Sequence, residues 1–236
     1  MLALQSIGSA QAYFTQQSTQ PKAIIRDARV AMSSEPEETP VPAPVVDARY
    51  CAAGATAFAV TKTISVTGHD FTVNDARGVA VMQVEAAVFS FLQARSLLLD
   101  AASRRPVVTL QDDSYMATSR WQAYRGDSTS RRNLLFVAVK LSPLNLARTK
   151  VRVFLASNGS GERVPDFVIS GSYYDGACTV SAKGRGDDGY AIAQITRQDT
   201  AGGALLGRHT YTARVNPGVD HAFIISLAVI LDEMYH

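Results

Sequence analysis

Asn216-Pro217-Gly218-Val219-Asp220-His221 leads into Ala222-Phe223-Ile224-Ile225-Ser226-Leu227-Ala228-Val229-Ile230-Leu231, and Asp232-Glu233 follow. Proline and glycine stop the preceding strand, and Asp220 is placed to accept a backbone N–H as an N-cap. The helix that this predicts, over about 220–235, is apolar on every face, with Ser226 its one polar interruption before Asp232. A surface helix would show a polar stripe. Its ten-residue apolar run rises about 15 Å, half of the ~30 Å hydrocarbon core of a bilayer, so no transmembrane span is expected. The run reads instead as a helix enclosed by protein.

What encloses it is read from the residues upstream. Phe71-Thr72-Val73-Asn74 passes through Asp75-Ala76-Arg77-Gly78 into Val79–Val84, a hairpin with glycine where a positive φ is cheap. Leu97–Leu99 passes through Asp100–Arg105 and Pro106 into Val107–Leu110, and Trp121–Tyr124 through Gly126-Asp127-Ser128 into Leu134–Lys140. Val151–Ala156, Phe167–Ser170, Cys178–Ala182, Tyr190–Thr196 and Tyr211–Val215 continue the series. Alternation is clear in Ile192-Ala193-Gln194-Ile195-Thr196-Arg197, as suits a strand with one buried face. A run of hairpins closed by one all-apolar helix predicts a mainly β fold, a closed barrel whose lumen the helix fills.

Length and charge bound the remainder. A chain of 236 residues can bury a sizeable core, and its formal net charge of +2 points to neither nucleic acid nor membrane by overall balance. Up to Arg49 there are four cations and five acids, which leaves 19 cations and 16 acids beyond it, a bias of +3. Residues 33–44 combine Glu35, Glu37 and Glu38 with prolines 36, 40, 42 and 44, a composition too poor in apolar surface to offset chain entropy. Residues 1–48 are therefore expected to be a disordered N-terminal segment, and residues 49–236 the barrel domain. The first residues lack the cation-then-apolar layout of a secretory signal, while a transit peptide is an open alternative. Cys51 and Cys178 are too few for a disulfide framework or a zinc site, so reduced thiols are expected.

On several of these stretches the chain resembles the plant LURP-one-related (LOR) family. The stretches are Phe71–Asp75 with Gly78, Leu98-Leu99-Asp100-Ala101, Arg120–Ser128, Lys150 with Val153–Ala156, Gly171-Ser172, Ile192-Ala193-Gln194, Leu206-Gly207, and Pro217–Ile224 through Val229–Glu233. The resemblance runs from about Cys51 to the C-terminus. It implies a tubby-like closed antiparallel barrel of about twelve strands around a central hydrophobic C-terminal helix, similar also to phospholipid scramblases. It also implies a part in plant defence, no established catalytic residues, and suggested membrane-tethered transcription regulation. The chain departs from the family at Thr118-Ser119, in place of a commoner His-Asp pair, and at Arg152, where an acid is frequent.

Candidate chemistry is sparse. Gly184-Arg185-Gly186-Asp187-Asp188-Gly189 has the letters of a dinucleotide loop, but it joins two strands, and its acids would repel a pyrophosphate. Asp112-Asp113 and Asp187-Asp188 lack the frame of a calcium loop. His69, His209, His221 and His236 show neither metalloprotease nor triad spacing, so the expectation is no enzyme, no metal and no cofactor. The binding candidate is Arg148-Thr149-Lys150-Val151-Arg152. Period-two geometry puts Arg148, Lys150 and Arg152 on one face, with Val151 and Val153 on the other. Such a face can meet anionic phospholipid headgroups, phosphoinositides among them, at about 1 kcal/mol per cation, with Arg104-Arg105 and Arg131-Arg132 as loop reinforcement. The functional expectation is a monomeric, non-enzymatic module in defence or stress signalling that binds phospholipid or a signalling protein. It would be cytoplasmic, at the plasma membrane periphery or in the nucleus. A nucleic-acid-binding transcription regulator and a scramblase-like lipid-handling protein are the alternatives; no nucleic-acid-binding motif is present.

Overall fold

The computed structural model describes residues 40–65, 68–86, 94–115, 118–140, 148–174, 176–184, 189–198 and 209–235. Twelve strands occur in chain order: β1 Thr56–Ser65, β2 Gly68–Asn74, β3 Ala80–Ala86, β4 Arg95–Asp100, β5 Pro106–Asp112 and β6 Arg120–Arg125. They continue as β7 Leu134–Lys140, β8 Thr149–Leu155, β9 Phe167–Gly171, β10 Ala177–Ala182, β11 Tyr190–Gln198 and β12 Thr210–Val215. The helix α1, His221–Tyr235, follows. Each strand pairs antiparallel with its neighbour in sequence, and β1 pairs β12 from Thr56↔Val215 to Thr61↔Thr210, which closes the barrel as expected. Closure leaves no strand edge to pair with another chain.

Most strands bury alternate residues, whereas β5 and β7 each bury four in a row, Val107–Leu110 and Leu135–Ala138. Phe58 and Val60 of β1, Phe71 and Val73 of β2, Val151 and Val153 of β8, and Ile192 of β11 all point into the lumen and join one core with α1. Every residue from Ala222 to Asp232 is buried, Ser226 included, and its hydroxyl donates to Ala222 O at 2.8 Å. Phe223 is held edge-on by Phe136, ring centroids 5.1 Å apart, and at a tilt by Phe167. Register shifts at Val73/Asn74, Leu98/Leu99, Ala123/Tyr124 and Val180/Ser181 add the local bend that closure requires. At Gly171, φ is +145° and a β-carbon would lie 2.2 Å from Ala177 O, so only glycine fits where β9 meets β10.

Strand β1 is absent from the sequence-based series, because its ten residues contain Lys62 at an inward position. The other strands lie where the sequence places them, within two residues, except that β2 begins three residues earlier, at Gly68. Residues 40–48, which the sequence reading assigns to the N-terminal segment, bring Val46 into the core, and Tyr50 just beyond is buried as well. The dinucleotide-like stretch has residues 185–188 outside the described residues.

Candidate functional site

Two polar constellations and one charged face stand out from the core. At the start of α1, Asp220 caps the helix as expected, accepting Phe223 N–H at 3.2 Å on Oδ1. Its Oδ2 also accepts the backbone N–H groups of Val46 at 2.6 Å and Asp47 at 3.1 Å. Arg125 donates to Val46 O, so the segment before β1 is tied to both the helix and the wall. His221 stacks on Phe58 with centroids 4.8 Å apart and meets Tyr50 edge-on at 5.4 Å. Burial holds its imidazole below the ordinary histidine range, against the opposing pull of Asp220.

At the other end of α1, Lys62 Nζ donates to Asp232 Oδ2 at 2.5 Å, with the two side chains 3% and 0% exposed. Tyr211 donates to Asp232 Oδ1, and Tyr173 reaches the same oxygen at 3.3 Å and the Tyr211 hydroxyl at 2.7 Å. Burial, then the Asp232 charge, push both phenols well above the tyrosine range, which keeps them as donors. Lys140 donates to Met234 O at 3.1 Å and lies 3.5 Å from the Tyr235 ring centroid, a cation at the negative end of the helix. These groups close the barrel end, and the sequence reading passed over them.

His69, Asp232 and Glu233 present ligand atoms within 4.8 Å of one another. Both oxygens of Asp232 are already engaged, and the Lys62 ammonium stands where a cation would have to approach. This donor set does not fit a metal. His69 Nδ1 instead lies 3.6 Å from Glu233, whose carboxyl is raised above its ordinary range by burial and then by Asp232. Cys51 and Cys178 are both free, and burial pushes both thiols up, away from the thiolate form.

The charged face is that of β8. Val151 and Val153 are fully buried, whereas Arg148 and Lys150 are exposed and Arg152 is half-buried on the outer face. Facing neighbours are neutral: Lys150 stands opposite Ser170, and Arg152 opposite Val168 on one side and Val139 on the other. Among the described residues, no ion pair engages these three cations. Several other cations are paired with acids, Arg77 with Asp75, Arg95 with Asp127, Arg104 with Glu85, and Arg120 with Asp113 and Glu162. The expected reinforcement from loops is corrected here. Arg104 is spent on Glu85 and Gln83, and Arg104-Arg105 and Arg131-Arg132 lie in the turns after β4 and β6, at the barrel end opposite the start of β8. The acidic pair Asp112-Asp113 is also occupied, Asp112 by Ser114 and Asp113 by Gln122 at 2.7 Å and Arg120 at 3.3 Å.

A closed antiparallel twelve-stranded barrel, filled by one apolar C-terminal helix and basic on one outer strand, defines the structural class. Residues 56–232 match the LURP-one-related family, and the chain belongs to it. It is similar to Protein LURP-one-related 15 of Arabidopsis thaliana, 38% identical over 191 residues, 80% of this chain and 85% of that protein. It is also similar to Protein LURP1 of Arabidopsis thaliana, 34% identical over 194 residues, 82% of this chain and 90% of that protein. An X-ray structure of an Arabidopsis thaliana protein superposes with a TM-score of 0.61 at 33% identity, covering 81% of this chain and 98% of that one. Among the described residues, no helix is long and apolar enough to cross a membrane.

Proposed function

We propose that this LURP-one-related barrel is a non-enzymatic module of defence or stress signalling that docks on anionic phospholipid headgroups at the cytoplasmic face of a membrane. The observation that carries the reading is the outer face of β8, where Arg148, Lys150 and Arg152 project without an acidic partner among the described residues. Three cations contribute about 1 kcal/mol each near an anionic surface, which is weak and salt-sensitive attachment. The non-enzymatic part rests on the employment of the reactive groups: Cys178 is buried and Cys51 half-buried, His221 is stacked on Phe58 and edge-on to Tyr50, and Asp232 is saturated by donors.

Co-sedimentation of the full chain with vesicles containing phosphatidylserine or phosphoinositide, over a salt series, tests the reading. The wild type should pellet at low salt and release as salt rises. The triple variant Arg148→Glu, Lys150→Glu, Arg152→Glu should stay in the supernatant with unchanged far-ultraviolet circular dichroism. Pelleting of the folded variant equal to wild type would remove this face from the account, and no pelleting of the wild type would turn the search to protein partners.

A further inference from the structure

Beside the basic row, the outer wall is hollowed into a cleft of about 380 Å³. Strand β9 lines it with Val168 and Ser170, β10 with Ser181 and Ala182, and Lys183 follows just beyond β10; the connection between β8 and β9 adds Val164 and Pro165. Register joins cleft to row. Arg152 stands opposite Val168 and Lys150 opposite Ser170, while Ser181 stands opposite Val168 on the far side. Opposed residues on one face have β-carbons roughly 4.5–5.5 Å apart, so Lys150 and Arg152 flank one side of the cleft. Lys183, exposed and in no ion pair among the described residues, flanks the other. Asp166, the acid among the lining residues, is committed elsewhere: its Oδ2 accepts Leu155 N–H at 2.8 Å and the Asn158 amide at 2.7 Å.

We propose that this cleft is a specific binding site for a phosphate monoester carried on a ring-sized polyol. Lys150, Arg152 and Lys183 balance the phosphate charge, and Ser170 and Ser181 donate from their hydroxyls. The inference rests on the docking reading above and narrows it from charge to shape. A monoester carries about −1.5 to −2 charge and three strong acceptor oxygens, which suits a pair of ammonium groups, a guanidinium fork and two hydroxyls. A phosphodiester headgroup with one negative charge would use the row by charge alone. The volume lies near the small end of the roughly 300–1,000 Å³ range of ligand pockets, more room than a bare phosphate fills. Val164, exposed beside Pro165, gives the cleft an apolar lip for the C–H edge of a ring. An inositol lipid headgroup and a free inositol phosphate share this chemistry.

The test uses the full chain and two probes. Calorimetry with inositol trisphosphate reads the cleft alone, and co-sedimentation compares phosphatidylinositol bisphosphate vesicles with phosphatidylserine vesicles of matched charge. Ser181→Phe fills the cleft, and Lys183→Ala removes one charge from an exposed position without disturbing packing. The wild type should bind the trisphosphate and prefer the bisphosphate vesicles. Each variant should weaken trisphosphate binding about tenfold or more, the loss of one charge-assisted contact or of the space itself. Each should also bring bisphosphate vesicles down to the phosphatidylserine level, which stays as in wild type. Equal binding of the two vesicle types with no trisphosphate binding overturns the cleft and leaves charge-driven docking standing. Trisphosphate binding without either vesicle supports the cleft with a soluble ligand and overturns membrane docking. Binding of neither probe overturns both, and trisphosphate binding indifferent to both variants overturns the assignment to this cleft.

Discussion

Lys62 and Asp232 lie 170 residues apart in sequence and 2.5 Å apart in the core. A buried ion pair contributes little beyond what apolar residues of similar volume would, because desolvation offsets the attraction. Removing one member, however, leaves an uncompensated charge at a cost of about 3–5 kcal/mol. Lys62→Met and Asp232→Leu should each lower the free energy of urea unfolding by about that much. The double variant should lose clearly less than the two together, since both charges leave at once. Simple additivity would show that the pair is not coupled. In sequence, the inward parity of Lys62 is legible from Phe58 and Val60, two and four residues before it. Its partner is not legible, because no local rule links a strand lysine to an aspartate near the end of a distant helix.

At the scale of elements, α1 begins in a small polar assembly in which Asp220 holds both the helix and the chain before β1. His221, packed on Phe58, is buried with a depressed pKa. The unfolded chain therefore takes up the proton first as pH falls. The associated stability is complete above the ordinary histidine range and is lost as pH falls through the folded-state pKa. Thermal unfolding measured between about pH 7 and pH 5 should show wild-type stability falling more steeply than that of His221→Phe, which keeps the stacking and removes the titration. Parallel curves would assign the acid sensitivity to carboxylates elsewhere. Asp220 as cap and the helix itself were legible, because capping is a local rule. The second duty of Asp220 was not, because it joins positions more than 170 residues apart.

For the whole molecule, barrel and helix are one cooperative object. All twelve strands contribute inward side chains to the one core that contains α1, and without the helix they would line an open apolar lumen. A chain ending at Pro217 should lose the β circular dichroism signature and bind a hydrophobic dye. A folded truncated barrel would show instead that the strands pack on themselves. The barrel closes by pairing the first strand with the last, so closure depends on contacts far apart in sequence. Period-two alternation, hairpin turns and an apolar stretch too short to span a bilayer determined from sequence alone every strand but β1, the buried helix, and the face on which Arg148, Lys150 and Arg152 lie. These are local properties, set by backbone periodicity and by the free energy of burying side chains. Which charges stay unpaired, which lysine meets Asp232, and where β8, β9 and β10 leave a cleft were decided only by tertiary structure. Those are relations between distant segments, and chain closure alone brings them into register.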